Sequence, residues 1–314
     1  MKGSQPEGGE RNVSAPESKQ YLDLQDALVL FFVTFLWGIH YLSIKFVSEG
    51  LAPVFAATLR SAIGALCGIL YCLKKGHRLF HTDIMLFHGF MVGLLLGLEF
   101  ACIFFGMRYT DAGRSAIFVY LHPFVVALGA HFFLKEDRLT FLKIAGLMIA
   151  FAGVFIVFEG KPRSAKPTMI FGDILEIIAA FFWGATTLYI KKFMGDKIHP
   201  INTFLYQLVF SIPILLAISL ILEPQWIYRV NGFIVANVAF QGVIIAFLSL
   251  FIWFKLIHKY TVTRLAAFTF FTPLFGVLSG TIFLGEEFTL SLMIGLPLVC
   301  LGIFLVNWRW RSVS

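Results

Sequence analysis

The chain has 314 residues, 59% of them hydrophobic and 14% charged, with a formal net charge of +7. Soluble domains are roughly half apolar and a quarter charged, so this composition excludes a soluble globular enzyme. The positive excess does not indicate a nucleic-acid partner, because the Lys and Arg residues cluster at the ends of apolar runs.

Residues 1–24 (beginning MKGSQPEGGERNVSAPESKQ) are polar and rich in Gly, Pro and Ser, and they read as a disordered tail. No short apolar core with a small-residue cleavage site follows a basic start, so a signal peptide is not expected. Ten apolar windows of about 20 residues follow, each long enough for a bilayer core of roughly 30 Å. They lie near 25–47, 53–73, 84–108, 111–134, 139–158, 170–192, 200–221, 232–254, 262–284 and 288–308. The expected fold class is an all-α integral membrane protein with ten transmembrane helices. Residues 25–158 form a first five-helix repeat, 159–169 a connecting loop, 170–308 a second repeat and 309–314 a tail.

Lys45 and Arg60 fall within spans. With a cytoplasmic N-terminus, the other Lys and Arg residues divide unequally. Six (Arg108, Arg114, Lys161, Arg163, Lys166 and Arg229) lie outside and the remaining 17 lie inside. That bias places both termini in the cytoplasm of a multi-pass protein of the cell (inner) membrane.

Taken in chain order, span one carries Trp37, His40 and Tyr41 on one face. Span two carries Arg60, seven residues or roughly 10 Å below its outer end at 1.5 Å per residue. Span three carries Glu99, roughly 13 Å below the same surface by the same rise. An ionisable group at such depth costs roughly 2.5–3.5 kcal/mol on insertion scales and seldom persists without a partner or a wet cavity. Glu99 and Arg60 are therefore the candidate coupling pair, with His40 at similar depth. A purely structural ion pair, or Arg60 tied to backbone carbonyls, is the competing reading. Gly89, Gly93 and Gly97 occupy another face of span three and suit close helix packing. His88 reads as interfacial.

Span four contains Tyr120, His122 and Pro123, and span nine contains Phe270, Thr272 and Pro273. The two prolines are expected to bend their helices and free a backbone carbonyl, as a hinge or cavity wall would require. Trp183 and Thr187 in span six and Gln241 in span eight complete the candidate substrate-binding set. His77 and His81 have helical metal-ligand spacing but no third ligand nearby. The four cysteines lie in or beside spans without metal spacing. No phosphate-cradling glycine loop and no nucleophile–base pair is present, so no cofactor, metal or catalytic residue is expected.

The chain also repeats itself. Arg114–Glu136 (RSAIFVYLHPFVVALGAHFFLKE) returns as Arg264–Glu286 (RLAAFTFFTPLFGVLSGTIFLGE), with eight of 23 positions identical at an offset of 150 residues. Trp37-Gly38 returns as Trp183-Gly184, and Gly146 and Gly153 correspond to Gly295 and Gly302. A repeat with an odd number of spans inserts its second copy upside down, the arrangement of many secondary transporters. The charges are not duplicated: Gln207 stands at the position of Arg60, and Ser249–Leu250 at that of Glu99. Repeated residues read as scaffold, and residues found in one half only read as recognition.

These runs, continued through DRLTFLKIAGLMIAFAGVFIVF and EFTLSLMIGLPLVCLGIFLVN, resemble the repeat signature of the EamA family in the drug/metabolite transporter superfamily. The Trp-Gly of span one and Arg60 of span two resemble it too. Lys135 and Asp137 depart from the Gly and Arg that usually flank the glutamate. The resemblance implies two inverted five-helix repeats, alternating access around a central cavity, and a small metabolite or drug as cargo. The function expected is secondary active transport, as an exporter of a small organic metabolite, with protons as the coupling ion considered for Glu99. The alternative is a multi-pass membrane enzyme or lipid-handling protein, which would need an acid/base or metal cluster near one interface.

Overall fold

A computed structural model of the chain describes residues 22–80, 84–110, 112–159, 169–195, 197–284 and 290–308. The expectations for the first 21 residues, for most of the 159–169 loop, for His81, for Glu286 and for the last six residues lie outside these. The described residues are helical almost throughout, and the protein is an all-helical membrane protein with ten spans. Eight helices are long and apolar enough to cross a membrane, and two shorter apolar stretches, Ile117–Phe133 and Phe141–Val157, complete the ten.

The first repeat comprises α1 (Leu24–Ser48), α2 (Pro53–Lys75), α3 (Ile84–Gly106), the pair α4 (Ala112–Val119) and α5 (His122–Phe133), and α6 (Phe141–Glu159). The second comprises α7 (Met169–Phe193), α8 (Pro200–Leu222), α9 (Gly232–Phe240) continuing through a π-helical segment (Gln241–Ser249) into α10 (Leu250–Lys259), the pair α11 (Val262–Phe268) and α12 (Phe271–Leu284), and α13 (Leu290–Asn307).

Glycine contacts set the helix directions. In lipid, apolar surface alone gives helices little reason to pair, so small residues that admit a close neighbour decide which helices meet. Gly146 of α6 faces Gly302 and Val306 of α13, while Gly153 faces Gly295 and Val299. One register rises as the other falls, so these duplicated helices run antiparallel. Gly64 and Gly68 of α2 meet Leu208 and Phe204 of α8 in the same opposed sense. Equivalent helices that run in opposite directions make the repeats inverted. One more pair repeats: Gly38 of α1 packs on Phe275 of α12, and Gly184 of α7 packs on Val125 of α5. The stripe on α3 behaves as expected, with Gly89 against Tyr206, Gly93 against Phe210 and Gly97 against Ile214 of α8.

The paired prolines do more than bend their spans: each span breaks into two helices at Tyr120–Leu121 and at Thr269–Phe270. Proline has no N–H and its ring crowds the carbonyl four residues earlier. Those carbonyls belong to Val119 and Thr269. Val119 O lies 3.3 Å from His122 Nδ1, and Thr269 O accepts from Thr272 N at 2.9 Å. Span eight also runs further than the sequence suggests, to Lys259. Lys191 Nζ donates to the carbonyls of Ile257 (3.0 Å) and His258 (3.3 Å), satisfying acceptors that a helix C-terminus leaves open.

Two connections tie α2 and α8 at their opposite ends. Glu223, buried, accepts from Val54 N (2.8 Å), Phe55 N (2.9 Å) and Ser219 Oγ (2.6 Å), which caps the start of α2. At the other end Asn202 Nδ2 donates to the carbonyls of Arg78 and Leu79. Beside it His199 caps α8, its Nδ1 accepting from Ile201 N at 3.3 Å, and its ring stacks on His77 with centroids 4.5 Å apart. Desolvation, then the charges of His77 and Lys255, hold the His199 pKa below its ordinary 6.5. The folded state therefore favours the neutral ring. Its contribution is present above about pH 6.5 and is lost as pH falls through the depressed folded value. Protonation also removes the lone pair that caps α8. The melting temperature should drop between pH 7.5 and 5.5 by more in the parent than in His199→Gln; equal drops would contradict this role.

Candidate functional site

Seven of the ten spans, the first four and the sixth to eighth, line a cavity of about 110 Å³ between the repeats. Its lining includes Trp37, His40, Arg60, Glu99, Tyr120, Trp183 and Thr187 from the sequence-derived set. It also includes residues that the sequence reading did not select as ligands: Phe100, Thr186, Gln207, Trp253 and Phe254. The volume is about a third of the roughly 300 Å³ at which small-molecule pockets usually begin. Only a few waters fit, so a solute requires the walls to separate.

Three tryptophans form the apolar floor. Trp37 meets Trp183, its own repeat mate, edge-on at 5.9 Å, and Trp253 at 5.4 Å. A residue touching its duplicate lies close to the axis that relates the halves. Trp37 Nε1 donates to Ser249 Oγ at 2.8 Å, and Ser249 Oγ donates in turn to Ile245 O. Ser249 closes the π-helical segment and Gln241 opens it, with Gln241 Nε2 donating to Ser43 Oγ at 3.1 Å. Both ends of the segment are thus tied to α1. A π-turn leaves the ordinary i→i−4 ladder and often marks a functional region.

The charged groups stand apart from one another. Arg60 (3% exposed) has its guanidinium carbon 4.6 Å from the centre of the Phe100 ring. Its Nε and Nη1 have no hydrogen-bond partner, nor does His40 Nε2. Glu99 is 5% exposed. The expected Arg60–Glu99 partnership is therefore electrostatic only: the two groups sense each other's charge, but no ion pair within 4 Å joins them among the described residues. Gln207, at the position that repeats Arg60, also leaves its Oε1 unpartnered. A buried polar atom without a partner costs about 1–3 kcal/mol, more when charged, and several gathered around one space mark a place where something else satisfies them.

Three candidate ligands stand one layer back. His122 is fully buried and stacks flat on Trp183, with centroids 3.7 Å apart and planes 11° from parallel. Its Nε2 lies 3.1 Å from Thr269 Oγ1, across the two broken spans. It supports the Trp183 ring rather than lining the cavity. Thr272 is buried with Oγ1 unpartnered and is not part of the lining. Gln241 adjoins His40 and Ser43 behind the wall. The side chain of Tyr41 lies outside the described residues. His88 bridges α3 and α7: its Nδ1 is 2.7 Å from Tyr189 Oη and its ring stacks on Phe193.

A second polar cluster was missed. Glu176 of α7 is fully buried, with neither carboxylate oxygen hydrogen-bonded by geometry, beside Ser115 and Gly106. Nearby, Thr110 Oγ1 donates to Asp173 Oδ1 at 2.6 Å. The signal was available: Glu176 lies seven residues into span six, an acid flanked by apolar residues as Glu99 is.

An inverted pair of five-span bundles around a mid-depth cavity with unpaired charges defines a multi-pass membrane transporter. The chain belongs to the EamA-like transporter family, whose model matches residues 26–159 and 170–308. It is 25% identical to the "Uncharacterized transporter YoaV" of Bacillus subtilis, over 87% of this chain and 93% of that one. It is 25% identical to a "Probable amino-acid metabolite efflux pump" of Salmonella typhimurium (91% and 96% covered) and 24% identical to one of Escherichia coli (92% and 97%). A crystal structure of a protein 19% identical superposes with a TM-score of 0.76, covering 90% of this chain and 96% of that one, which speaks to the fold. Membership in a transporter family removes the membrane-enzyme alternative.

Proposed function

We propose that this protein exports a small zwitterionic metabolite, an amino acid or a close relative, by alternating access between residues 25–158 and 170–308 acting as two units. The carrying observation is that Arg60 and Glu99 line one cavity without pairing. A ligand that carries both a carboxylate and an ammonium offers a partner to each of them, and Trp37, Trp183 and Trp253 give the rest of the solute an aromatic wall. The names of the Salmonella and Escherichia relatives support the same class of cargo. All three charged or basic groups come from the first repeat, whereas Thr186, Thr187 and Gln207 of the second are neutral. The polar end of the solute therefore lies toward α2 and α3. His40 adjoins Arg60 and supplies a further polar contact. Glu99 is the coupling residue in this reading, and Pro123 and Pro273 mark the hinges. The excess of Lys and Arg at the helix ends nearest both termini supports a cytoplasmic N- and C-terminus in the inner membrane.

The experiment is counterflow in reconstituted vesicles with a panel of amino acids, each beside its decarboxylated amine. The parent protein should accumulate at least one amino acid. Arg60→Gln should weaken that amino acid at least tenfold while changing the matching amine less than threefold. Equal losses for both would show that Arg60 does not read the carboxylate.

A further inference from the structure

A second, larger crevice shares no lining residue with the candidate site. The loop between α5 and α6, the start of α11 and the end of α13 enclose a crevice of about 690 Å³ at the side of the bundle where both chain ends emerge. Lys135, Arg138, Lys143 and Arg264 line it, and Glu136 is the acid in its wall. Asp137 beneath offsets Lys143 and leaves Lys135 and Arg138 to face the opening. It is 2% exposed, with Oδ1 taken by Lys143 Nζ (2.6 Å) and Oδ2 by Thr263 N (2.8 Å). Among the described residues no acid pairs with Lys135 or Arg138, and both are exposed.

Two further features point to an anion. Thr261 lines the crevice at 3% exposure, and its Oγ1 has no hydrogen-bond partner. The first turn of the 19-residue helix α6 also opens there: Thr140 Oγ1 accepts from Lys143 N (3.3 Å), which leaves the N–H groups of Phe141 and Leu142, which no helix pairs internally.

The surroundings select which anion. Phe141, 86% exposed, and Trp308, 46% exposed, flank the mouth, as aromatic side chains do at a membrane–water boundary. Beyond them the outer faces of α6 and α13 expose Ile144, Met148, Leu301 and Phe304. Gly146 and Gly302 draw the two helices together, and both helices present these apolar side chains away from their contact, toward lipid.

We propose that the crevice is a binding site for an anionic phospholipid. Its headgroup phosphate sits among Lys135, Arg138, Thr261 and the start of α6, and its acyl chains lie along α6 and α13. The full-length protein purified in detergent is titrated with phosphatidylglycerol and with phosphatidylcholine, and bound lipid is counted by native mass spectrometry. Phosphatidylglycerol should bind at least tenfold more tightly. At roughly fivefold per basic residue near an anionic headgroup, the double variant Lys135→Gln/Arg138→Gln should lose about 25-fold of that affinity, with phosphatidylcholine unchanged. Thr261→Ala, a small neutral change, should weaken phosphatidylglycerol several-fold and serves if the double variant does not assemble. Equal binding of the two lipids, an unaltered affinity in the variants, or displacement of the lipid by millimolar inorganic phosphate would each overturn the assignment. None of these readouts depends on transport, so they stand or fall apart from the proposed cargo.

Discussion

Glu99→Gln is expected to reduce pH-gradient-driven flux in reconstituted vesicles at least tenfold while leaving the protein assembled. Glutamine keeps the shape and the polar oxygen of the side chain and removes only the ability to carry charge. Glu99 is 5% exposed and makes no ion pair, so its ionised form has been taken out of water without a direct partner to offset the cost. A neutral amide at the same place is cheaper to bury. The melting temperature of Glu99→Gln should accordingly be unchanged or higher, and a structural role would lower it instead. Exchange of solute without a proton gradient should persist in the variant. Full gradient-driven flux in Glu99→Gln would remove Glu99 from coupling and point to Glu176, a buried acid whose two oxygens have no hydrogen-bond partner.

Most of the fold was legible in the sequence because membrane insertion imposes few choices. Length and hydropathy give the ten spans, and the 150-residue repeat gives their relation. The glycine stripes could be read as packing surfaces, and Gly89, Gly93 and Gly97 do meet α8. What could not be read was which polar groups share a space. Depth along a helix follows from counting at 1.5 Å per residue, but facing direction depends on neighbours far away in the chain. Thus Glu99 and Arg60 line one cavity, yet the aromatic ring of Phe100 lies against the guanidinium. His122 seemed a ligand because it is a polar ring beside a helix break. Its stacking on Trp183 comes from Gly184 bringing α7 onto α5, a contact with no local sequence mark. Glu176 carries the same sequence signal as Glu99, an acid inside an apolar span. The π-helical turn of span eight has no signal in QGVIIAFLS at all.

The other large expected effect concerns the pair α6 and α13, and it separates assembly from activity. A Cβ at Gly153 would lie 2.8 Å from the carbonyl oxygen of Gly295 and 2.9 Å from Val299 N, which are backbone atoms that no rotamer change can move. Gly146 is in the same position, at 2.6 Å from Gly302 O and 2.8 Å from Val306 N. Overpacking a well-fitted contact costs about 1–3 kcal/mol even when side chains can adjust. Here the helices themselves must separate, and the close approach is what holds them together in the absence of a hydrophobic drive between apolar surfaces in lipid. Gly153→Leu should therefore yield little or no folded protein by size-exclusion chromatography in detergent, and Gly153→Ala should lower the melting temperature by several degrees. Gly232→Ala, where an added Cβ meets nothing within 4 Å, should match the parent in both assays. If Gly153→Leu folds and melts like the parent, then α6 and α13 are not packed through their glycines, and the antiparallel register from which the inversion of the two repeats is derived loses its principal support.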